Sequence, residues 1–275
     1  MSKKPILRKS ASVGFSVMAI SMLAFSAQAL PISNGSFENV NSPTGSSFLI
    51  TANNTTEVTD WVTSSGVSFL LYPGTATTVV SGIALWPGCA AGSTLLNCIN
   101  PAPFPSTSPD GGNFLAVDGD VPLSGTLTQT LSGLVPGQFY NVSFYQAAGQ
   151  LKDFRNQNNL CCTGSTTEQW LVSLSDIPFG GISIETHLSA LMLNDSQSFV
   201  GWQSQTLTFK ATNAMEVLGF FALGTPSGVP PFVLLDGVTV TAAPEPGIYA
   251  LLGIGLLSLL VARRQQGSAA NRSLC

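Results

Sequence analysis

Basic side chains are almost missing from the middle of this 275-residue chain. Of ten Lys and Arg, four precede residue 10 and three follow residue 262, leaving Lys152, Arg155 and Lys210 between them. Phosphate backbones are bound by basic faces, so a nucleic-acid partner is excluded. Histidine occurs once, as His187, and no Gly-x-Ser-x-Gly elbow accompanies it. A serine triad therefore has no support, and His187 reads as a strand or loop residue. Long apolar runs are lacking between the two ends, where short ones are bounded by turn residues, which argues against long helices.

Acids are the charge that is present. Thirteen of the fourteen Asp and Glu lie in segment 30–243, giving it a formal net charge of 3 minus 13, or −10, against −4 for the whole chain. Divalent cations, neutral glycans or solvation alone would each account for such acidity.

The two ends are addresses. Lys3, Lys4, Arg8 and Lys9 precede an apolar stretch from Ala11 to Phe25, and Ala27-Gln28-Ala29 follows. This is the pattern of a secretory signal peptide over 1–29, cleaved after Ala29 by signal peptidase, with an uncleaved anchor as the alternative. At the other end stand Pro244-Glu245-Pro246, fifteen apolar or small residues from Ile248 to Ala262, and Arg263-Arg264. The apolar run is shorter than the roughly 20 residues that comfortably span a bilayer. The arginines would fix its depth and leave 265–275 as a cytoplasmic tail.

In that order, residues 244–264 resemble the PEP-CTERM sorting signal of bacterial surface proteins. The resemblance implies a membrane-anchored precursor, with helix 248–262 in the membrane and an exosortase-type membrane protease as partner. It also implies an association with extracellular polysaccharide. Here the chain continues beyond the arginines, which keeps a permanent single-span anchor as the alternative.

Segment 30–243 has the size of one all-β domain. Strands are expected at Gly125 to Leu131, Phe139 to Gln146, Glu168 to Ser175, Ser204 to Lys210, Val217 to Leu223 and Val233 to Thr241. Polar and apolar residues partly alternate in 203–209, as in a sheet with one wet face. Pro136-Gly137 reads as a turn. The expected architecture is an antiparallel β-sandwich with jelly-roll connections.

Short signatures sharpen this: Asn34-Gly-Ser-Phe-Glu38, Trp61, Gly111-Gly-Asn-Phe-Leu-Ala-Val-Asp-Gly119, the run 127–147, Gly201-Trp202, and Leu234-Leu-Asp-Gly-Val238. Together they resemble the galactose-binding-like jelly rolls of carbohydrate-binding modules, with 72–109 and 149–167 as insertions. The resemblance implies that the first and last strands lie side by side. It also implies a structural calcium ion held by carboxylates at the matching positions Glu38 and Asp236. Asp110 and the Asp118-Gly119-Asp120 run offer a second acidic cluster, which reads more simply as a turn.

Sugar binding needs aromatic faces and a few amides or carboxylates. Trp86, Trp61 and Tyr72 are the candidates, with Trp86 in Leu85-Trp86-Pro87-Gly88 as the exposed platform and Trp61 open to the alternative of core packing. Of the cysteines, Cys89 and Cys98 bracket a short loop and form the favoured disulfide, while Cys161 and Cys162 are adjacent and pair elsewhere more readily than with each other. Zinc is disfavoured because the Cys pairs lack a two-residue gap. No spacing among the carboxylates selects a catalytic pair. Three functions stand: a non-catalytic exopolysaccharide-binding surface protein, a purely structural surface protein, and a polysaccharide-processing enzyme.

Overall fold

The computed structural model describes residues 29–30, 32–41, 48–50, 57–64, 66–78, 84–87, 103–121, 123–152, 164–176, 184–244 and 253–263. The leader short of Ala29, and the disulfide candidates Cys89, Cys98, Cys161 and Cys162, lie outside the described residues. The strands are β1 Ala29–Leu30, β2 Phe48–Ile50, β3 Val62–Ser64, β4 Ser68–Leu71, β5 Phe114–Asp118, β6 Thr126–Ser132, β7 Phe139–Gln150, β8 Thr166–Ser175, β9 Ile184–Leu188, β10 Met192–Asn194, β11 Phe199–Lys210, β12 Met215–Thr225 and β13 Pro231–Ala242.

They form two sheets, antiparallel at every pairing. The first runs β11-β7-β13-β5-β4-β2, with β1 against the far half of β13; the second runs β10-β8-β12-β6-β3, with β9 also on β8. Ala29 pairs with Thr241 and Leu30 with Val240, so the first and last strands do lie side by side. The architecture is an antiparallel β-sandwich.

Side-chain alternation supplies the core between the sheets. Val142, Phe144, Leu207, Phe209, Val233, Leu235 and Val240 of the first sheet meet Leu127, Leu131, Trp170, Val172, Leu218 and Phe220 of the second. Phe220 is the hub, its ring 5.1 Å from Phe144, 5.8 Å from Trp170 and 6.2 Å from Trp61. The 135–138 turn forms as expected. Gln138 N–H donates to Val135 O at 3.1 Å, and Gly137 takes φ 90°, the left-handed value required at the third position of a type II turn.

A second apolar cluster lies on the outer face of the first sheet. Phe69, Leu71, Phe114, Ala116, Phe232 and Leu234 point away from the main core, and Ala76, Leu85 and Phe104 cover them. Described parts of the 72–109 stretch thus fold back over the sheet. Edge contacts bind the cover: Phe104 on Phe199 at 5.0 Å, and Trp202 on Phe114 at 5.3 Å. β5 is consequently buried on both faces, as its continuous Phe-Leu-Ala-Val run allows.

In the tail, a helix spans 253–263, while 245–252 lie outside the described residues. Its eleven residues extend about 16 Å. Among the described residues no helix is long and apolar enough to cross a membrane.

Candidate functional site

Three acids from distant segments converge beside the bulge of β13. Register shifts between Asp236 and Thr239, and Gly237 takes φ 60°; such a bulge re-aims the side chains around it. A Cβ on Gly237 would stand 3.1 Å from Asp110 Cβ, and one on Gly112 would fall 1.7 Å from Glu38 Oε1. Only glycine lets the loop and the two carboxylates come this close. Glu38 Oε1 accepts the Asn113 N–H at 2.6 Å, and the Asn113 amide reaches Phe37 O at 3.3 Å. Phe37 itself holds φ 55°, an unusual conformation for a bulky side chain.

Asp236 is fully buried. Its Oδ2 accepts a hydrogen bond from the Ser108 hydroxyl, and Ser108 Oγ in turn accepts the Asp110 N–H at 3.0 Å. Its Oδ1 has no hydrogen-bond partner among the described residues. Burial pushes the Asp236 carboxyl up to about 8, opposed by the Ser108 hydroxyl and the Gly237 N–H, with the charges of Asp110 and Glu38 adding to the rise. Such a group is neutral at pH 7 unless a cation joins it. Among the described residues no three His, Cys, Asp or Glu are gathered as a ready metal shell. The orphaned Oδ1 and the glycine cradle nevertheless fit a hard cation, whose remaining oxygens would be main-chain carbonyls and water.

Next to this cradle the outer face of the first sheet changes character. On β7, β11 and β13 the residues opposite the core are Asn141, Ser143 and Tyr145, then Ser204, Thr206 and Thr208, then Thr239 and Thr241. All are exposed or half-exposed. Hydroxyls and amides pair across the strands, Ser143 with Thr206 at 2.9 Å and Thr208 with Asn141 at 2.8 Å. None of the eight is an Asp, Glu, Lys, Arg or His.

The aromatic candidates separate. Trp61 is 1% exposed, donates from Nε1 to Asn34 O at 2.9 Å and packs on Phe37 at 5.3 Å. As a sugar platform it is therefore corrected to a core residue. Tyr72 is half-buried and packs against the main core. Trp86 is half-exposed, anchored by its main-chain N–H to Gln150 O at 3.0 Å, with Lys152 Nζ 5.9 Å from its ring centre. Trp202 is packed on Phe114, with its Nε1 buried.

Of the four other buried carboxyls among the described residues, Asp118, Asp120, Glu168 and Glu216, two are raised by their surroundings. Asp118 is pushed up to about 7 by burial, against the Asp120 N–H it accepts at 2.9 Å and aided by the Asp120 charge. Leu123 N–H donates to Asp120 O at 2.7 Å, so the run forms a turn, and Asp120 Oδ2 ties it to Gly228 N–H at 2.7 Å. Glu168 is 0% exposed and pushed up to about 8 by burial, opposed by the Thr166 hydroxyl and the Asn194 amide. His187 lies in β9, 3.0 Å from Glu185 Oε1 and edge-on to Phe209.

After the last strand of the β-sandwich the sequence runs Pro244-Glu245-Pro246, an apolar stretch and Arg263-Arg264. Residues 242–265 match the PEP-CTERM protein-sorting motif, which implies an exported, membrane-anchored precursor processed for the cell surface. Within it, Pro244 is exposed at the end of β13 and Arg263 is the last described helical residue, while Glu245, Pro246 and Arg264 lie outside the described residues. No curated protein sequence matches the chain. Solved structures that are similar in fold include the carbohydrate-binding module TmCBM61 in complex with β-1,4-galactotriose, at 11% identity and TM-score 0.33, covering 78% of this chain and all of that one. A family 11 carbohydrate-binding module from Clostridium thermocellum, in complex with a β-1,3-1,4-mixed-linked tetrasaccharide, is similar at 12% identity and TM-score 0.31, covering 72% of this chain and 97% of that one. The enzymatically active domain of bacteriophage CBA120 tailspike protein 4 is similar at 13% identity and TM-score 0.35, over 78% of this chain but only 21% of its own length.

Proposed function

We propose that this protein is a non-catalytic component of the bacterial cell surface or extracellular matrix that binds exopolysaccharide. The observation that carries the reading is the uncovered part of the first sheet's outer face, where hydroxyls and amides stand with Tyr145 and without an ionised group. Sugars are held by such hydrogen-bonding groups beside an aromatic face, and a domain of net charge −10 selects against polyanions. Trp86, on its ledge beside Lys152, is the proposed stacking residue, with Tyr72 on the same insertion. Signal peptidase and an exosortase-type protease would act on the precursor before the domain reaches the surface or the medium.

Glu38 and Asp236 are proposed to hold a structural calcium ion, with Asp110 beside them. The ion would replace the proton on Asp236 and tie the first turn of the domain to its last strand. A chelator then lowers the melting temperature, because a ligand bound only by the native state stabilises it.

The test of function is binding of the purified protein to a glycan panel and to the host's own extracellular polysaccharide, with release of reducing sugar followed in parallel. Binding without turnover supports the reading; turnover would make the protein a polysaccharide-processing enzyme. One observation favours a purely structural surface protein: Trp61, Trp202 and Phe104 are all committed to packing. Concentration-dependent self-association without glycan binding would establish that instead.

A further inference from the structure

Three segments meet where β13 ends. Leu134 N–H donates to Ala214 O at 3.1 Å, Gly137 N–H to Ala211 O at 2.7 Å, and Ala243 N–H to Phe139 O at 2.8 Å. Apolar side chains stand in the open there: Val135 is 54% exposed, Phe139 41% and Met215 62%. Lys210, one of three cations in segment 30–243, holds its Nζ 5.8 Å from the Phe139 ring centre. Segments 132–139, 210–215 and 240–244 contain no Asp or Glu. The next acid, Glu216, is buried and accepts the N–H groups of Thr212 and Asn213 at 2.9 and 3.1 Å. On the flank, Glu185 accepts the Lys210 N–H at 2.7 Å. Asp176, exposed just past the Ser175–Val217 pair, and Glu185 stand on the second-sheet side of this end, so the apolar tips Val135, Phe139 and Met215, with Lys210 beside Phe139, are what this end offers to a lipid surface.

The chain itself says what covers it. Nine residues, 244–252, separate Ala243 from the first described helical residue, 253, and nine residues in any conformation reach at most about 30 Å. That helix leaves Ile254, Leu256, Leu257, Leu259, Leu260 and Val261 exposed. A helix apolar on all sides is one that lipid surrounds. The tether leaves from this end of the sandwich, which is therefore the end held within about 30 Å of the bilayer. We propose that in the anchored precursor the end formed by Val135, Phe139 and Met215 rests on the lipid surface, with the apolar tips at the boundary of headgroups and acyl chains. Lys210 extends to the headgroup phosphates, as long basic side chains do at interfaces. The scissile tail is then presented along the membrane. This inference rests on the reading of the tail as a sorting signal in the bilayer.

The experiment uses the full chain in vesicles of phosphatidylethanolamine and phosphatidylglycerol, with a benzophenone-bearing amino acid in place of Phe139 or, separately, of Val121. Val121 is 74% exposed and equally apolar, but lies by the start of β13, eleven steps of roughly 3.4 Å, or about 37 Å, from its end. Light should give lipid adducts at position 139 and none above background at 121, in a chain that resists alkaline carbonate extraction. Equal labelling at both positions, or none at 139 in a chain that resists extraction, overturns the docking while leaving the anchor intact. Adducts to a protein rather than to lipid at 139, in native membranes, overturn it in favour of the processing protease as occupant. Release of the chain by carbonate overturns the docking and the anchored tail together.

Discussion

Replacing Glu168 by Gln should lessen the protein's loss of stability at alkaline pH. The carboxyl is fully buried, and burial raises it from 4.5 to about 8. A group whose folded pKa lies above its unfolded value binds its proton more tightly in the native state. Its contribution is therefore fully present below about 4.5 and lost as pH rises through about 8. At about 1.4 kcal/mol per unit, the interval sets a ceiling on the order of 5 kcal/mol, and relaxation or water entry reduces this to a few. Glu168→Gln keeps the shape and removes the titration. At pH 5 the variant should lose about 1 kcal/mol through a weaker bond from Thr166, the ordinary worth of one hydrogen bond. At pH 9 it should be the more stable of the two. Urea denaturation at half-unit intervals of pH reads both curves. If they run parallel, or if the native protein gains stability between pH 5 and 9, the neutral buried carboxyl is wrong.

Phe220→Ala, which removes the ring between Phe144, Trp170 and Trp61, should cost about 3–5 kcal/mol by denaturation. Gly112→Ala drives a methyl into the Glu38 carboxylate; it should abolish the calcium-dependent part of the melting temperature while leaving most of the calcium-free stability. Trp86→Ala should weaken polysaccharide binding without lowering the melting temperature, whereas Trp61→Ala should lower it by the several kcal/mol of a core aromatic. Phe104→Ala should expose the second apolar cluster, seen as increased binding of a hydrophobic dye.

The six long strands were legible because each carries apolar residues at period two or a run ended by a turn. Their edges were not. β7 continues past Gln146 through Ala147, Ala148 and Gly149, whose small side chains carry little pattern, and Gly149 accepts the close approach of Leu85. β11 begins at Phe199 rather than Ser204, since an irregularity between Val200 and Gln203 interrupts the alternation. β9 and β10 are edge strands of five and three residues, too short for alternation to reveal their pairing. The outer apolar cluster was invisible for a different reason: what covers β5 comes from a loop, and a continuous apolar run does not reveal its second partner. At the site, Glu38 and Asp236 followed from a resemblance, but the parts played by Ser108 and Asp110 depend on a loop path held by Gly111 and Gly112. Trp61 shows the limit on aromatics, because a tryptophan after a polar stretch carries no sign of which way it points.

The affinity of the mature protein for its host's extracellular polysaccharide, measured before and after Thr206→Glu, tests the central claim most directly. Thr206 is exposed on the open face, and its bond to Ser143 is worth less than about 1 kcal/mol, so the fold should survive. The account requires that the native protein bind and that a buried carboxylate in the contact reduce affinity at least about tenfold, the equivalent of 1.4 kcal/mol. No binding by the native protein, or equal binding by both, would contradict it.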